Sequence, residues 1–434
     1  MNGKLGRLGG WLTLAVALGL TACAGSGEEG PVEQSSLQTL FESRAGLIAY
    51  LGLDGNIHTI DQSGDGDTSV TTDAHVDENE YFVYGLPTWA PNGETLVFAA
   101  FQGKQNANPD KNSLFVAQKD GSDLKEAYSS EFYPIYYAWS PDSRHIGLLS
   151  ATAAGSTMAL KRISAAGGEP ETLDVGNPFY WAWAPDSHSM LIHTGSESGR
   201  LAFLQLGEVV TEQNLAISPS AFKAPAFAPN GQRVLVASRG EGGQKSALLL
   251  ADLRGNTLQT LTEYDNDIAF VWSPDGARVA YLTTQQLSGP ITVLDPDNPG
   301  QATAVNEEAY AFFWSPDSRS LAYFTAQTIQ VTPQPDSTTS DGTAVQWTLK
   351  VLDTTTGNTR VLADLFLSRR FIDLVPYFDQ YHQALTIWSP DSQNLVVSAY
   401  NLDDGTPQIM VVNASGQYTP RLIAEGLVGI WSWK

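Results

Sequence analysis

Trp272-Ser273-Pro274-Asp275-Gly276, followed by Ala277-Arg278-Val279-Ala280-Tyr281, is the stretch whose reading decides the fold. Proline presets φ for a tight turn, and the adjacent Asp can hydrogen-bond its own backbone. Three successive apolar residues then place side chains on both faces of a strand, which suits a strand covered on both sides. The same phrase stands at Trp89-Ala90-Pro91-Asn92-Gly93, Trp139-Ser140-Pro141-Asp142-Ser143, Trp183-Ala184-Pro185-Asp186-Ser187 and Phe227-Ala228-Pro229-Asn230-Gly231. It returns at Trp314-Ser315-Pro316-Asp317-Ser318 and Trp388-Ser389-Pro390-Asp391-Ser392, and Trp431 stands alone near the end. The aromatics are spaced by 50, 44, 44, 45, 42, 74 and 43 residues. A period in the low forties marks one repeated supersecondary unit, the four-stranded propeller blade.

Working outward, most units offer a third strand, such as Ile291-Thr292-Val293-Leu294, and a fourth, such as Thr359-Arg360-Val361-Leu362. The ends complement each other. Ile48-Ala49-Tyr50 reads as a second strand without a preceding turn, and Gly429-Ile430-Trp431-Ser432-Trp433 as a first strand with nothing after it. The expectation is an all-β propeller over residues 46–434 with eight four-stranded blades, seven being the alternative count. N- and C-terminal strands would share one blade and so remove open sheet edges.

These turns and strands resemble the TolB-type propeller repeats, whose consensus is Trp-Ser-Pro-Asp-Gly followed by an Ile-Ala-Phe-like strand. The likeness covers nearly all of 46–434. It departs from the pattern at Phe227, at the Ser variants of the last turn position, and in the 74-residue step. Such repeats occur in periplasmic envelope proteins and in the propeller domains of prolyl peptidases, so the resemblance implies a fold and no single activity.

The first 22 residues read as a signal peptide, with Lys4 and Arg7 before the apolar run from Trp11 to Leu20. Leu20-Thr21-Ala22-Cys23 resembles a bacterial lipobox. That resemblance implies cleavage before Cys23, lipidation of its thiol, and a membrane-anchored lipoprotein on the periplasmic or cell-surface side of a bacterial membrane. Residues 23–45 then form a small, polar tether.

The 434 residues carry 24 basic and 47 acidic side chains, a net charge of −23, which excludes a phosphate-backbone binder. A single cysteine precludes an intrachain disulfide. No catalytic set is legible. Gly195-Ser196-Glu197-Ser198-Gly199 has Glu where a nucleophile elbow needs Ser. His58, His75, His145, His188, His193 and His382 share no register relative to the turn aromatics. Asp61–Asp67 and Asp295–Asn298 lack the bidentate Glu of an EF-hand loop. No cofactor and no metal site is expected, and the turn Asp residues read as structural.

Strand counting puts the inter-blade links and the loops between second and third strands on one face. The links are rich in aromatics and acids: Tyr81, Tyr84, Tyr133, Tyr136, Tyr180, Tyr264, Asp265, Asp267, Glu307, Glu308, Tyr377, Asp379, Tyr381 and His382. The surplus of the long step lies near Thr328–Val345 and Phe366–Gln383, and both parts are expected on this face. Exposed aromatics mark recognition. The expectation is therefore a non-catalytic envelope lipoprotein that binds a protein, peptide or glycan at this rim. The alternatives are a hydrolase or lyase at the channel mouth, or a structural scaffold.

Overall fold

The computed structural model describes residues 45–434 except 196–198, 221–222, 241–244, 285–287 and 331–342. The signal peptide, Cys23 and most of the tether lie outside the described residues, as do parts of the Gly195–Gly199 loop and of the Thr328–Val345 insertion. No helix among the described residues is long and apolar enough to cross a membrane.

The chain is an all-β propeller of antiparallel sheets. Among the described residues the strands form six hydrogen-bonded sheets, two of them merged from neighbouring units. Ala302–Trp314 pairs with Gly289–Leu294 along its first half and with Ser320–Gln330 along its second. It is thus the outer strand of one unit and the inner strand of the next. Arg421–Trp431 does the same, pairing first with Pro407–Asn413 and then with Ile48–Gly52 in the register Ile48↔Trp431. Each merged sheet therefore joins neighbouring units, and strands from the two ends of the described chain pair within one of them. The apolar triplets are the second strands. Leu96-Val97-Phe98 and Leu321-Ala322-Tyr323 are fully enclosed because each is covered by the sheets on either side. Burying each large side chain contributes about 1.5–3 kcal/mol.

The repeated tryptophan has a more specific task than filling space. Except in Trp431, the indole N–H reaches back to the carbonyl just before the aromatic of the preceding unit. Trp139 donates to Thr88 O (3.1 Å), Trp183 to Ala138 O (3.2 Å), Trp272 to Ala226 O (3.3 Å) and Trp314 to Val271 O (3.3 Å). Trp388 donates to Phe313 O (2.9 Å), and Trp89 reaches Ile430 O (3.3 Å) across the junction of the chain ends. Phe227 has no such donor, and its ring packs on Phe203 at 5.5 Å instead.

The Ser variants of the last turn position also gain a reason. Ser143, Ser187, Ser318 and Ser392 all sit at φ +62°, where a Cβ costs about 1–2 kcal/mol. Each hydroxyl accepts from the backbone N–H of the preceding unit's turn: Asn92 N (3.1 Å), Asp142 N (2.9 Å), Asp275 N (3.0 Å) and Asp317 N (3.0 Å). The turn Asp is local in its bonding, as Asp142 Oδ1 accepts from Ser140 Oγ (2.6 Å) and Arg144 N (3.0 Å).

Several links expected as loops are strand. Tyr81 and Tyr84 lie within Glu80–Trp89, Tyr136 within Pro134–Trp139, Tyr180 within Phe179–Trp183, and Glu307 and Glu308 within Ala302–Trp314. Inner strands begin earlier than the turn motif indicates, and alternation then sends part of their side chains inward.

Replacing Ser187 separates strain from bonding. Ser187→Ala keeps the positive φ and removes the inter-unit bond, and should destabilise by about 1–2 kcal/mol. Ser187→Gly removes both bond and strain and should be nearly neutral. Denaturant titration of the pair checks this, and equal losses would refute the stapling role.

Candidate functional site

The 74-residue step contains the segment that shapes the middle of the molecule. After Leu365 the chain makes a bridge from Leu367 to Ala399, a helical turn at Arg369–Ile372 and a 3-10 turn at Val375–Tyr377. Ser368 caps the first turn: its hydroxyl accepts from Phe371 N (3.3 Å) and donates to Leu427 O (2.9 Å). Apolar spacing buries Phe371, Val375, Phe378, Leu385 and Ile387. Phe378 packs edge-on against Phe312 at 4.7 Å, and Tyr381 stacks on Tyr136 at 4.8 Å.

The segment then crosses to inner strands far from its own position in the chain. Tyr180 OH donates to Gln380 O (3.0 Å). Gln383 clamps the inner strand of the Trp183 unit: its Oε1 accepts from Trp183 N (3.1 Å) and its Nε2 donates to Trp183 O (3.1 Å). Trp431 N donates to Thr386 O (2.7 Å), and the Thr386 hydroxyl donates to Trp431 O. These contacts join the inner strands of several units through one cross-channel plug. The expectation that Phe366–Gln383 rises as a recognition loop is therefore corrected. Its apolar side chains are better satisfied inside the channel than in solvent.

The plug carries a buried charge. Asp379 is 4% exposed and accepts from Gln380 N (3.0 Å). Burial is the main cause that pushes its pKa up to about 6; Lys223 opposes the shift and Asp267 adds to it. Lys223 itself is ion-paired with Asp267 at 2.7 Å. His382 Nδ1 donates to Asp379 O (2.6 Å), and burial lowers the pKa of that imidazole.

The expected rim is thus only partly a rim. Tyr84, Tyr136, Tyr180 and Tyr264 are buried, as is Asp379. The Tyr84 hydroxyl donates to Oδ1 of the exposed Asp73 (2.7 Å), and the Tyr264 hydroxyl bonds Ser220 Oγ (2.6 Å). Tyr81 is half-buried and donates to Ala107 O (3.1 Å). Asp265 pairs with Lys245 (2.9 Å), Glu307 with Lys350, and Glu308 accepts from Ser288 Oγ (3.0 Å). What the structure does bring together is an aromatic patch. Tyr133, 53% exposed, stacks on Phe101 at 5.3 Å. Tyr377, 46% exposed, packs on Tyr381 at 5.6 Å. Tyr133 is close enough to Tyr381 to raise the pKa of its hydroxyl, after burial and Tyr377. Phe101 was not singled out in the sequence, although it ends the run Phe98-Ala99-Ala100-Phe101 in the strand Thr95–Lys104.

On the other side of the plug, among the turn prolines, lies a cavity of about 490 Å³. Its walls are the turn Pro and aromatic residues of successive units, among them Pro229, Trp272, Pro316 and Trp388, and its floor is His382–Ile387 of the plug. His382 faces this cavity rather than the aromatic patch. The remaining histidines are dispersed. His58 lies 3.2 Å from Asp54, and His193 is buried with Nδ1 donating to Lys223 O (2.7 Å). His75, Asp77 and Glu80 approach one another on an exposed hairpin, where Asp77 Oδ1 accepts from Asn79 N and Glu80 N. Asp61 Oδ1 accepts from Ser63 N (2.8 Å) and Asp65 N (3.0 Å), which is turn geometry.

No family model and no curated protein sequence matches the chain. Solved structures do. A dihydro-heme d1 dehydrogenase, NirN, is similar over 93% of this chain and 80% of its own, at 13% identity and a TM-score of 0.55. A eukaryotic initiation factor is similar over 90% of this chain and 98% of its own, at 11% identity and a TM-score of 0.51. TolB from Acinetobacter baumannii matches 61% of this chain and 65% of its own, at 14% identity and a TM-score of 0.38. The first two likenesses bear on fold alone, the β-propeller, and at such identities they define nothing further.

The plug's buried carboxyl yields a pH test. A folded pKa near 6 against an ordinary 3.8 means the native state holds the proton more tightly. The associated stability is full below about pH 4 and is lost as pH rises through 6, a change of about 2–3 kcal/mol. Asp379→Asn should match the parent near pH 4 and melt higher above pH 7. A difference independent of pH would refute the assignment.

Proposed function

We propose that the protein is a lipid-anchored, non-catalytic propeller of the bacterial cell envelope, which binds a protein, peptide or glycan through its inter-blade face. The observation that carries the reading is the patch of Phe101, Tyr133, Tyr377 and Tyr381, two of whose rings are about half exposed. Flat, rigid aromatics give large contact area at low entropic cost, and they dominate binding hot spots. Tyr377 and Tyr381 belong to the plug, whose bonds to Trp183 and Trp431 hold its backbone in place, so little ordering would be lost there on association. The anchor is supported by Leu20-Thr21-Ala22-Cys23 behind an apolar run. The hydrolase or lyase alternative needs titratable groups converging on an open mouth. Asp379, whose pKa is the most displaced among the described carboxylates, is instead enclosed within the plug.

Two experiments test this. Photoreactive residues at 133 and 377 in the full chain should capture a discrete envelope component, whereas one at Asp186 on the turn side should not. Tyr133→Ala with Tyr377→Ala should then cut capture about tenfold or more without moving the melting temperature. Capture from the turn side alone would overturn the choice of face. Separately, Cys23→Ser should shift the protein from the membrane fraction to the soluble fraction, and unchanged fractionation and mass would remove the anchor.

A further inference from the structure

The turn-side cavity lies across the plug from the aromatic patch, and its chemistry is unusually one-sided. None of the described residues lining it is Asp, Glu, Lys or Arg. Five tryptophans contribute wall, and every indole N–H is already spent. Trp183, Trp272, Trp314 and Trp388 donate to neighbouring inner strands, and Trp433 donates to Trp89 O (3.2 Å). The polar side chains of the wall are engaged too. Gln383 is clamped on Trp183, and the Thr386 hydroxyl donates to Trp431 O. Ser273 Oγ donates to Asp275 Oδ1 (2.6 Å), and Ser432 Oγ donates to Lys434 O (2.8 Å).

His382 is the exception. A carbonyl can only accept, so the contact from Nδ1 to Asp379 O fixes the proton on Nδ1. In the neutral ring Nε2 is then an acceptor, and among the described residues no donor reaches it. Burial favours that neutral form. The cavity therefore offers aromatic and proline surface on all sides together with one acceptor. Its volume of about 490 Å³ falls within the roughly 300–1,000 Å³ of small-molecule sites.

We propose that this cavity is a small-molecule site, separate from the aromatic patch, that takes a neutral apolar ring compound bearing one hydrogen-bond donor. Charged ligands are disfavoured because no group in the wall would repay their desolvation. A ligand with several polar groups would leave most of them unpaired. One donor aimed at His382 Nε2 satisfies the site.

Indole and benzothiophene are suitable probes, being nearly identical in shape while only indole carries an N–H. Binding to the full chain is read by saturation-transfer NMR and calorimetry. Indole should bind roughly 5- to 10-fold more tightly, the worth of one net hydrogen bond. Val271→Trp, which fills the cavity from one wall, should abolish binding of both. His382→Phe should bring the two probes to equal affinity. Near-ultraviolet circular dichroism verifies that each variant keeps its packing, and the preference shown by the parent protein stands as a test even where one does not. The proposal is overturned if neither probe binds the parent, if Val271→Trp leaves binding intact, or if indole and benzothiophene bind the parent equally. Persistence of the indole preference in folded His382→Phe would equally overturn it.

Discussion

The bond from a tryptophan indole to the neighbouring unit's carbonyl is the interaction on which the architecture rests. An inner strand has a partner on one side only, and its other edge faces the channel with unpaired carbonyls. In a sheet that ends there, those groups would lose water without compensation. The indole supplies the missing donor from the next unit while its ring fills the wedge between sheets. One side chain thus meets a polar and an apolar demand at the same place, which explains why the residue recurs with such regularity. Phe227 meets only the apolar half of that demand, and the junction it serves relies on ring packing with Phe203 and on Leu191, Leu201, Val234 and Val236.

The plug answers the same demand differently. Gln383 caps the Trp183 peptide on both its N–H and its C=O, and Thr386 does the like for Trp431. Around these bonds, Phe371, Phe378 and Ile387 extend the apolar core across the channel. The cost is one carboxyl, Asp379, held where water cannot reach it. It is tolerated beside the Lys223–Asp267 pair. The plug also divides the channel, so that an aromatic patch and an apolar cavity occur on opposite sides of one structural element.

Much of the fold was legible because the turn phrase is local. Proline, Asp and the following triplet act within ten residues, so their meaning survives without knowledge of the rest of the chain. The complementary ends were legible for the same reason. The site was read less well. Tyr84, Tyr136, Tyr180 and Tyr264 look like candidates for a rim, but whether a tyrosine in an inner strand points outward depends on where that strand begins, and no local signal marks that point. The surplus between Leu365 and Trp388 was visible as length. Its destination was hinted at by Phe371, Val375, Phe378, Leu385 and Ile387, too many apolar residues for a solvated loop. The choice of Trp183 as the peptide clamped by Gln383 is a contact across 200 residues, and no pattern within either segment encodes it.

The shared unit also sets an order in time. Ile48–Gly52 is completely enclosed in the finished molecule, yet its inner neighbour, Arg421–Trp431, is synthesised long after it. The bond from Trp431 to Ala45 O joins residues 386 positions apart. Such a pairing bears a large loop-closure entropy and adds to the slowness of folding. Until Arg421–Trp431 has been made, the apolar strand Ile48–Gly52 has no partner on its inner edge, and this pairing cannot form. A chain so arranged stays open to threading or to capture by a chaperone for as long as that partner strand is missing.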